Sequence, residues 1–439
     1  MNAIRHRLVF AVLACAGLLG LLTTSLHAQR RGKPAEHTPK AVEPAAAARA
    51  DGPTVNAKSA VLMEGASGQI LASQNKDEKI QPASFVKVLT LYVVYDLMRS
   101  GKLKLTDEIP ISKKAWETGG SKMYVELGSK VVLEELIKGI AVVSGNDACV
   151  AVAEHAAGSI ETFVQWMNET AGKLGMSNSH FENPHGLPNT LQYTTAHDMA
   201  TLTQRYITEF PDALKVHSIL EYTFSGIRQD NRNTLLRKDP SVDGLKTGFV
   251  AESGYHLIAT AKREERRLIA VIMGAKNRAI RADAALKLLN YGYHNFAFVS
   301  LFQKGQVLYE LPVWKGQSNT VRVVPGGEGM IVLPIDQKNK LVHEKTVPEF
   351  MVAPIAKQQE IGTYVVKVGS TVIRSIPLVA EVEVPKAGFV KVLWHSLMYF
   401  FGRVKIVTYI VAAVGLLGLI WLGLILFIRA RRPRSSLRY

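Results

Sequence analysis

From Ile406 to Ile428 the chain runs without a single charged side chain, and no other feature restricts its folding as much. A helix that is apolar on every side finds no place on the surface of a soluble domain, whereas a stretch of this length covers the roughly 30 Å of a bilayer's hydrocarbon. Arg429, Arg431, Arg432, Arg434 and Arg438 follow. The positive-inside tendency therefore predicts a transmembrane helix over 406–428, a basic cytoplasmic tail over 429–439, and everything before them on the outer face. At the other end Arg5 and Arg7 precede the apolar run Leu8 to Leu22, and a short polar stretch ends at Ala28. This pattern predicts a signal peptide over 1–28 cleaved after Ala28, with an uncleaved anchor as the alternative. The net charge of +16 fits the same reading, because residues 1–50 carry +5 and residues 389–439 carry +8. What remains between them is too small for a nucleic-acid partner, and the charge belongs to membranes.

Residues 29–54, with Pro34, Pro39, Pro44 and the run Ala45 to Ala48, have no period that could build a core and read as a linker. From 55 to 295 the pattern is mixed. Strands are expected around the turn Glu64–Gly68, helices over Ser84–Met98, Val132–Ala157, Ile160–Leu174 and Ala196–Glu209, and a β-hairpin from Gly254–Ala261 and Arg267–Met273. Strands first and last with helices between predict one α+β unit whose sheet is closed by both ends. From 300 to 388 the period falls to two, in Thr320–Val324, Gly329–Leu333, Thr363–Val368 and Leu378–Val384, which predicts a small all-β domain. Val390, Leu393, Trp394, Leu397, Met398 and Phe401 then recur at helical spacing, so 389–405 reads as an amphipathic segment lying on the membrane surface.

Three short motifs carry the candidate chemistry. Ser-x-x-Lys occurs as Ser73–Lys76, among polar residues that favour no helix, and as Ser84–Lys87, which opens an apolar helix behind Pro82. At i and i+3 Ser84 and Lys87 share a helical face. Burial would lower the lysine pKa until its neutral amine can accept the serine proton. The plain alternative is a capping serine beside a lysine that snorkels to the surface. Ser144-Gly145-Asn146 follows a helical stretch as an ordinary turn would, and Lys246-Thr247-Gly248 falls at or near an edge strand. Each is weak alone; their order on helix, loop and strand is not. Cys149 is the one thiol left after signal removal, and His185 and His197 have no partners at metal-ligand spacing, so neither a disulfide frame nor a metal nor any other cofactor is expected.

That set resembles the penicillin-recognising serine acyltransferases, the class of penicillin-binding proteins and serine β-lactamases. Gln81–Lys87, Val143–Ala151, Asn183–Leu187, Thr195–Ala200, Ile227–Asn233 and Val242–Gly248 together resemble the low-molecular-mass D-alanyl-D-alanine carboxypeptidases of bacterial cell walls, over residues 55 to about 400. The resemblance implies a penicillin-recognising transpeptidase/β-lactamase-like fold and peptidoglycan stem peptides and β-lactam antibiotics as partners. It implies Ser84 as nucleophile and Lys87 as proton acceptor. Ser144 and Asn146 would relay the proton and hold the substrate amide; Lys246 and Thr247, on the Gly248 strand, would bind the terminal carboxylate and help keep Lys87 neutral. The N–H groups of Ser84 and Phe249 would form the oxyanion hole. Arg232 would lie near the carboxylate pocket and His185 at the site margin. Two departures stand out: Phe249 occupies a position that is often His, and the surface helix continues into a membrane span. A β-lactamase of class A would need Glu-x-x-x-Asn between Asn146 and Lys246, which is absent. An endopeptidase acting on cross-links stays open as the runner-up, and so does pairing of two copies into a homodimer, whereas a non-catalytic wall-binding protein with the same fold is disfavoured by the intact set Ser84, Lys87, Ser144, Asn146 and Lys246.

Overall fold

The computed structural model describes residues 52–303, 305–327, 329–403 and 406–430. The signal peptide, all but the end of the linker, and the basic tail beyond Ala430 lie outside the described residues. A five-stranded antiparallel sheet is built from β1 (Ser59–Glu64), β2 (Ile70–Gln74), β3 (Val242–Val250), β4 (Gly254–Arg263) and β5 (Arg266–Ala275), in the order β2-β1-β5-β4-β3. First and last strands thus meet in one sheet, as the α+β reading requires. β5 is buried on both faces: Leu268, Ala270 and Ile272 join one core and Ile269, Val271 and Met273 the other. From Leu268 its sequence is accordingly an unbroken apolar run, because alternate side chains enter different cores.

One face of the sheet is covered by α1 (Val86–Arg99), α2 (Leu133–Ala141), α3 (Asn146–Ala157), α4 (Ile160–Lys173) and α5 (Ala196–Glu209), the other by α6 (Arg278–Asn295). α5 has the bounds the sequence predicts. The helical stretch Val132–Ala157 is divided at the turn read for Ser144-Gly145-Asn146, where Ser144 adopts a left-handed φ of 64° between α2 and α3. α6 was not expected from the residue pattern at all.

Behind α6 come β6 (Phe296–Ser300), β7 (Tyr309–Trp314), β8 (Thr320–Pro325), β9 (Met330–Pro334), β10 (Leu341–Thr346), β11 (Met351–Val352), β12 (Glu360–Val368) and β13 (Thr371–Ala380). β6 pairs with β9, and the rest form a six-stranded sheet ordered β10-β12-β13-β8-β7-β11 around a core of its own. Of the predicted strand Leu378–Val384 only Leu378–Ala380 is strand, as the end of the longer β13, and Val384 makes a single bridge to Ile355. α7 (Phe389–Arg403) rests its polar side on this domain, where Lys315 N–H donates to His395 Nδ1 at 2.8 Å. Its Phe389 and Val390 are 80% exposed. α8 (Ile406–Ala430) contains a segment, Thr408–Arg429, long and apolar enough to cross a membrane, with none of it buried among the described residues.

Candidate active site

Ser84 lies in the 3-10 turn Ala83–Phe85 that leads into α1. His256 fixes that turn: its Nδ1 accepts from Gly274 N at 2.9 Å, so the ring proton sits on Nε2 and is donated to Gln81 O at 3.0 Å. Lys87 follows one turn later on a helix buried continuously from Val86 to Val94, so its side chain has no apolar-free route to water. It stays inside. Its Nζ is 3.1 Å from Ser84 Oγ and 2.7 Å from Asn146 Oδ1, and also bonds the His185 carbonyl. Asn146 Nδ2 donates to Gly119 O at 2.7 Å, which settles that the amide oxygen faces the lysine. Carbonyl oxygens only accept. They therefore take both hydrogens of a neutral amine and leave its lone pair pointing at the Ser84 hydroxyl. Burial, aided by the charge of Arg232, pushes the Lys87 ammonium down to about 8.

Lys246 reaches the same place from β3. Its Nζ is 3.0 Å from Ser144 Oγ and 3.1 Å from Thr247 O, and Ser144, Lys246 and Thr247 are all buried. Burial first, then the charges of Lys87 and Arg232, hold the Lys246 ammonium well below its usual range. Two ammonium groups this deeply buried disfavour each other's charge, so Lys246 and Lys87 each make the other easier to deprotonate. Asn146 is held by Lys87 through Oδ1 and by Gly119 through one Nδ2 hydrogen, and its second Nδ2 hydrogen takes part in neither bond.

These groups open onto a cleft of about 370 Å³ whose lining includes Ser84, Ser144, Arg232, Thr247, Gly248 and Phe249. Arg232 donates to Ser121 Oγ at 2.6 Å, and Phe249, 53% exposed, packs on Tyr255 with ring centroids 4.4 Å apart. His185 contributes its carbonyl rather than its ring, which burial holds neutral by pushing its pKa down to about 3. Gly186 allows this approach: at φ +86° it packs so tightly that a Cβ would sit 1.9 Å from Ala83 O. Reading the sequence missed the loop 119–125. Asn146 N–H donates to Ser121 O at 2.7 Å, and the buried Asp147 carboxylate accepts from the N–H groups of Met123, Tyr124 and Val125. Arg278 and Arg281, which also line the cleft, were missed too. Main-chain contacts of this kind leave no residue pattern from which they could be read.

Comparison with known proteins agrees with the geometry. The family model described as D-alanyl-D-alanine carboxypeptidase matches residues 45–277, and that described as penicillin-binding protein 5, C-terminal domain, matches 296–386. The D-alanyl-D-alanine carboxypeptidase DacC of Escherichia coli is 38% identical over 359 residues, 80% of this chain and 90% of that one. DacF of Bacillus subtilis is 34% identical over 81% of this chain and 94% of its own. Among solved structures, penicillin-binding protein 5 of Haemophilus influenzae superposes with a TM-score of 0.71 at 35% identity, over 76% of this chain and 99% of that one. With both domain models and relatives of nearly full length in agreement, the chain belongs to the D-alanyl-D-alanine carboxypeptidase family.

Proposed function

We propose that this chain is a serine-type D-alanyl-D-alanine carboxypeptidase that removes the terminal D-alanine from peptidoglycan stem pentapeptides and is acylated by β-lactams. The observation that carries this reading is the arrangement at Lys87, whose two carbonyl acceptors aim an amine lone pair at Ser84. Ser84 Oγ attacks the carbonyl of the penultimate D-alanine while its proton passes to Lys87 Nζ. As the C–N bond breaks, the departing amine takes that proton by way of the Ser144 hydroxyl, and an ester on Ser84 remains. Water, deprotonated by Lys87, then attacks the ester, releases the shortened peptide and returns a proton to Ser84 Oγ. Lys246, Thr247 and Arg232 receive the terminal carboxylate. That carboxylate stabilises the charged form of Lys246, whose charge opposes protonation of Lys87.

Export through the N-terminal segment, with α8 spanning the membrane once and 429–439 inside, places the cleft on the outer face where stem peptides are found. The test uses the full chain with a synthetic stem pentapeptide and a fluorescent penicillin. One free D-alanine per peptide consumed, and a penicillin label on Ser84 by mass spectrometry, are the expected results. Label on Ser73 or nowhere, or rapid destruction of the antibiotic without D-alanine release, would overturn the proposal.

A further inference from the structure

We infer that Arg281 is a positioning residue for the oxyanion hole: its guanidinium holds the carbonyl of the Gly248–Phe249 peptide and thereby the direction of the Phe249 N–H. No motif singles this residue out. It sits in the first turn of α6, 5% exposed, and donates through Nη1 to Gly248 O and His256 O, both at 3.3 Å, and through Nη2 to Arg232 O at 3.1 Å. All three partners are main-chain carbonyls and none is a carboxylate. A guanidinium is costly to bury, and this one is kept by three acceptors from separate segments: β3, β4 and the loop that carries Arg232.

The direction of the first bond matters most. In a trans peptide the C=O and N–H point opposite ways, so the bond from Arg281 to the Gly248 carbonyl, added to the pairing of Gly248 with His256 across β3 and β4, also fixes the direction of the Phe249 N–H. Phe249 lines the cleft together with Ser84. A positive charge on the carbonyl oxygen also polarises the amide and makes its N–H a stronger donor. The bond to Arg232 O fixes the backbone of the residue whose side chain reaches Ser121. One buried side chain therefore sets both the donor that would face the developing oxyanion and the segment bearing the carboxylate-binding arginine.

This inference rests on the acyl-enzyme proposed for Ser84, and the test separates the two. Arg281→Lys keeps the charge but lacks the fork that bridges three carbonyls, and Arg281→Gln keeps a donor without the charge. Each full-length variant is acylated with penicillin labelled with ¹³C at the β-lactam carbonyl, and the ester stretch is read by infrared difference spectroscopy. The band is expected to move to higher wavenumber in both variants, with acylation slowed about tenfold, less than the loss of a whole oxyanion donor. The slowing should be equal for a peptide ending in a free carboxylate and for its C-terminal amide. A band and rate that neither substitution changes would overturn the inference; so would a loss confined to the free acid, which would make Arg281 a carboxylate ligand. Failure of the unsubstituted protein to show any ester band would instead overturn the reading of Ser84 itself.

Discussion

A neutral amine has two hydrogens and one lone pair, and at Lys87 two carbonyl oxygens and one hydroxyl are arranged to match. Ser84→Ala is expected to abolish both penicillin labelling and D-alanine release, because the attacking oxygen is gone. Lys87→Ala should fold and bind but acylate about 10²- to 10⁴-fold more slowly, the usual contribution of a positioned base; stopped-flow labelling measures it. Lys246→Met removes one of two coupled ionisations. Its acylation rate should rise with pH through about 8, where Lys87 loses its proton, and show no alkaline fall. At this scale the motifs disclosed Ser84, Lys87, Ser144, Asn146, Lys246 and Thr247, which the structure brings together. They did not disclose the carbonyls of Gly119, Ser121 and His185, because every residue has a carbonyl and only the fold selects one.

Among the elements, the segment around Gly186 and the loop 119–125 are the ones pressed against the site. Gly186→Ala would place a Cβ on Ala83 O and force a left-handed φ on alanine. It should cost roughly 1–3 kcal/mol in urea unfolding and slow acylation by displacing the His185 carbonyl. Asp147→Asn replaces an acceptor-only group facing three N–H donors with one that also carries its own N–H, so Met123, Tyr124 and Val125 amides should exchange faster with solvent. Long periodic elements were legible: α5 appears with its predicted bounds, and the strands flanking the site occur where apolar runs and turns put them. α6 was not, because an alanine-rich helix packed between sheet and solvent shows little contrast between its faces. β10 was missed for a related reason. It is an edge strand almost wholly exposed, and so has no buried face to impose a period of two.

For the whole molecule, the cleft belongs entirely to the α+β unit, whereas the cores are not fully separate. Phe296 and Val332, from β6 and β9, pack with the sheet residues under α6. A chain ending at Asn295 is therefore expected to keep acylation by penicillin at low temperature but unfold at a lower thermal midpoint than the full protein. Alkaline carbonate extraction should leave the full chain in the membrane fraction, since Thr408–Arg429 has a mean hydropathy of 2.7 and none of it is buried among the described residues. Release of intact protein would show that α7 alone attaches it. The apolar helix was plain from sequence because lipid demands an uninterrupted run. The docking of α7 was not, since it depends on main-chain groups, the Lys315 N–H that donates to His395 and the Gln317 carbonyl that accepts from Lys391.

The pH dependence of Ser84 acylation in the unsubstituted protein tests the central claim most directly. The second-order constant for penicillin reports ionisations of the free enzyme. With both lysines charged there is no acceptor for the serine proton, and acylation must fail on the acid side. The account predicts a rising limb with an apparent pKa no higher than about 8. A rate independent of pH, or a limb centred on the ordinary lysine value of 10.5, would contradict it.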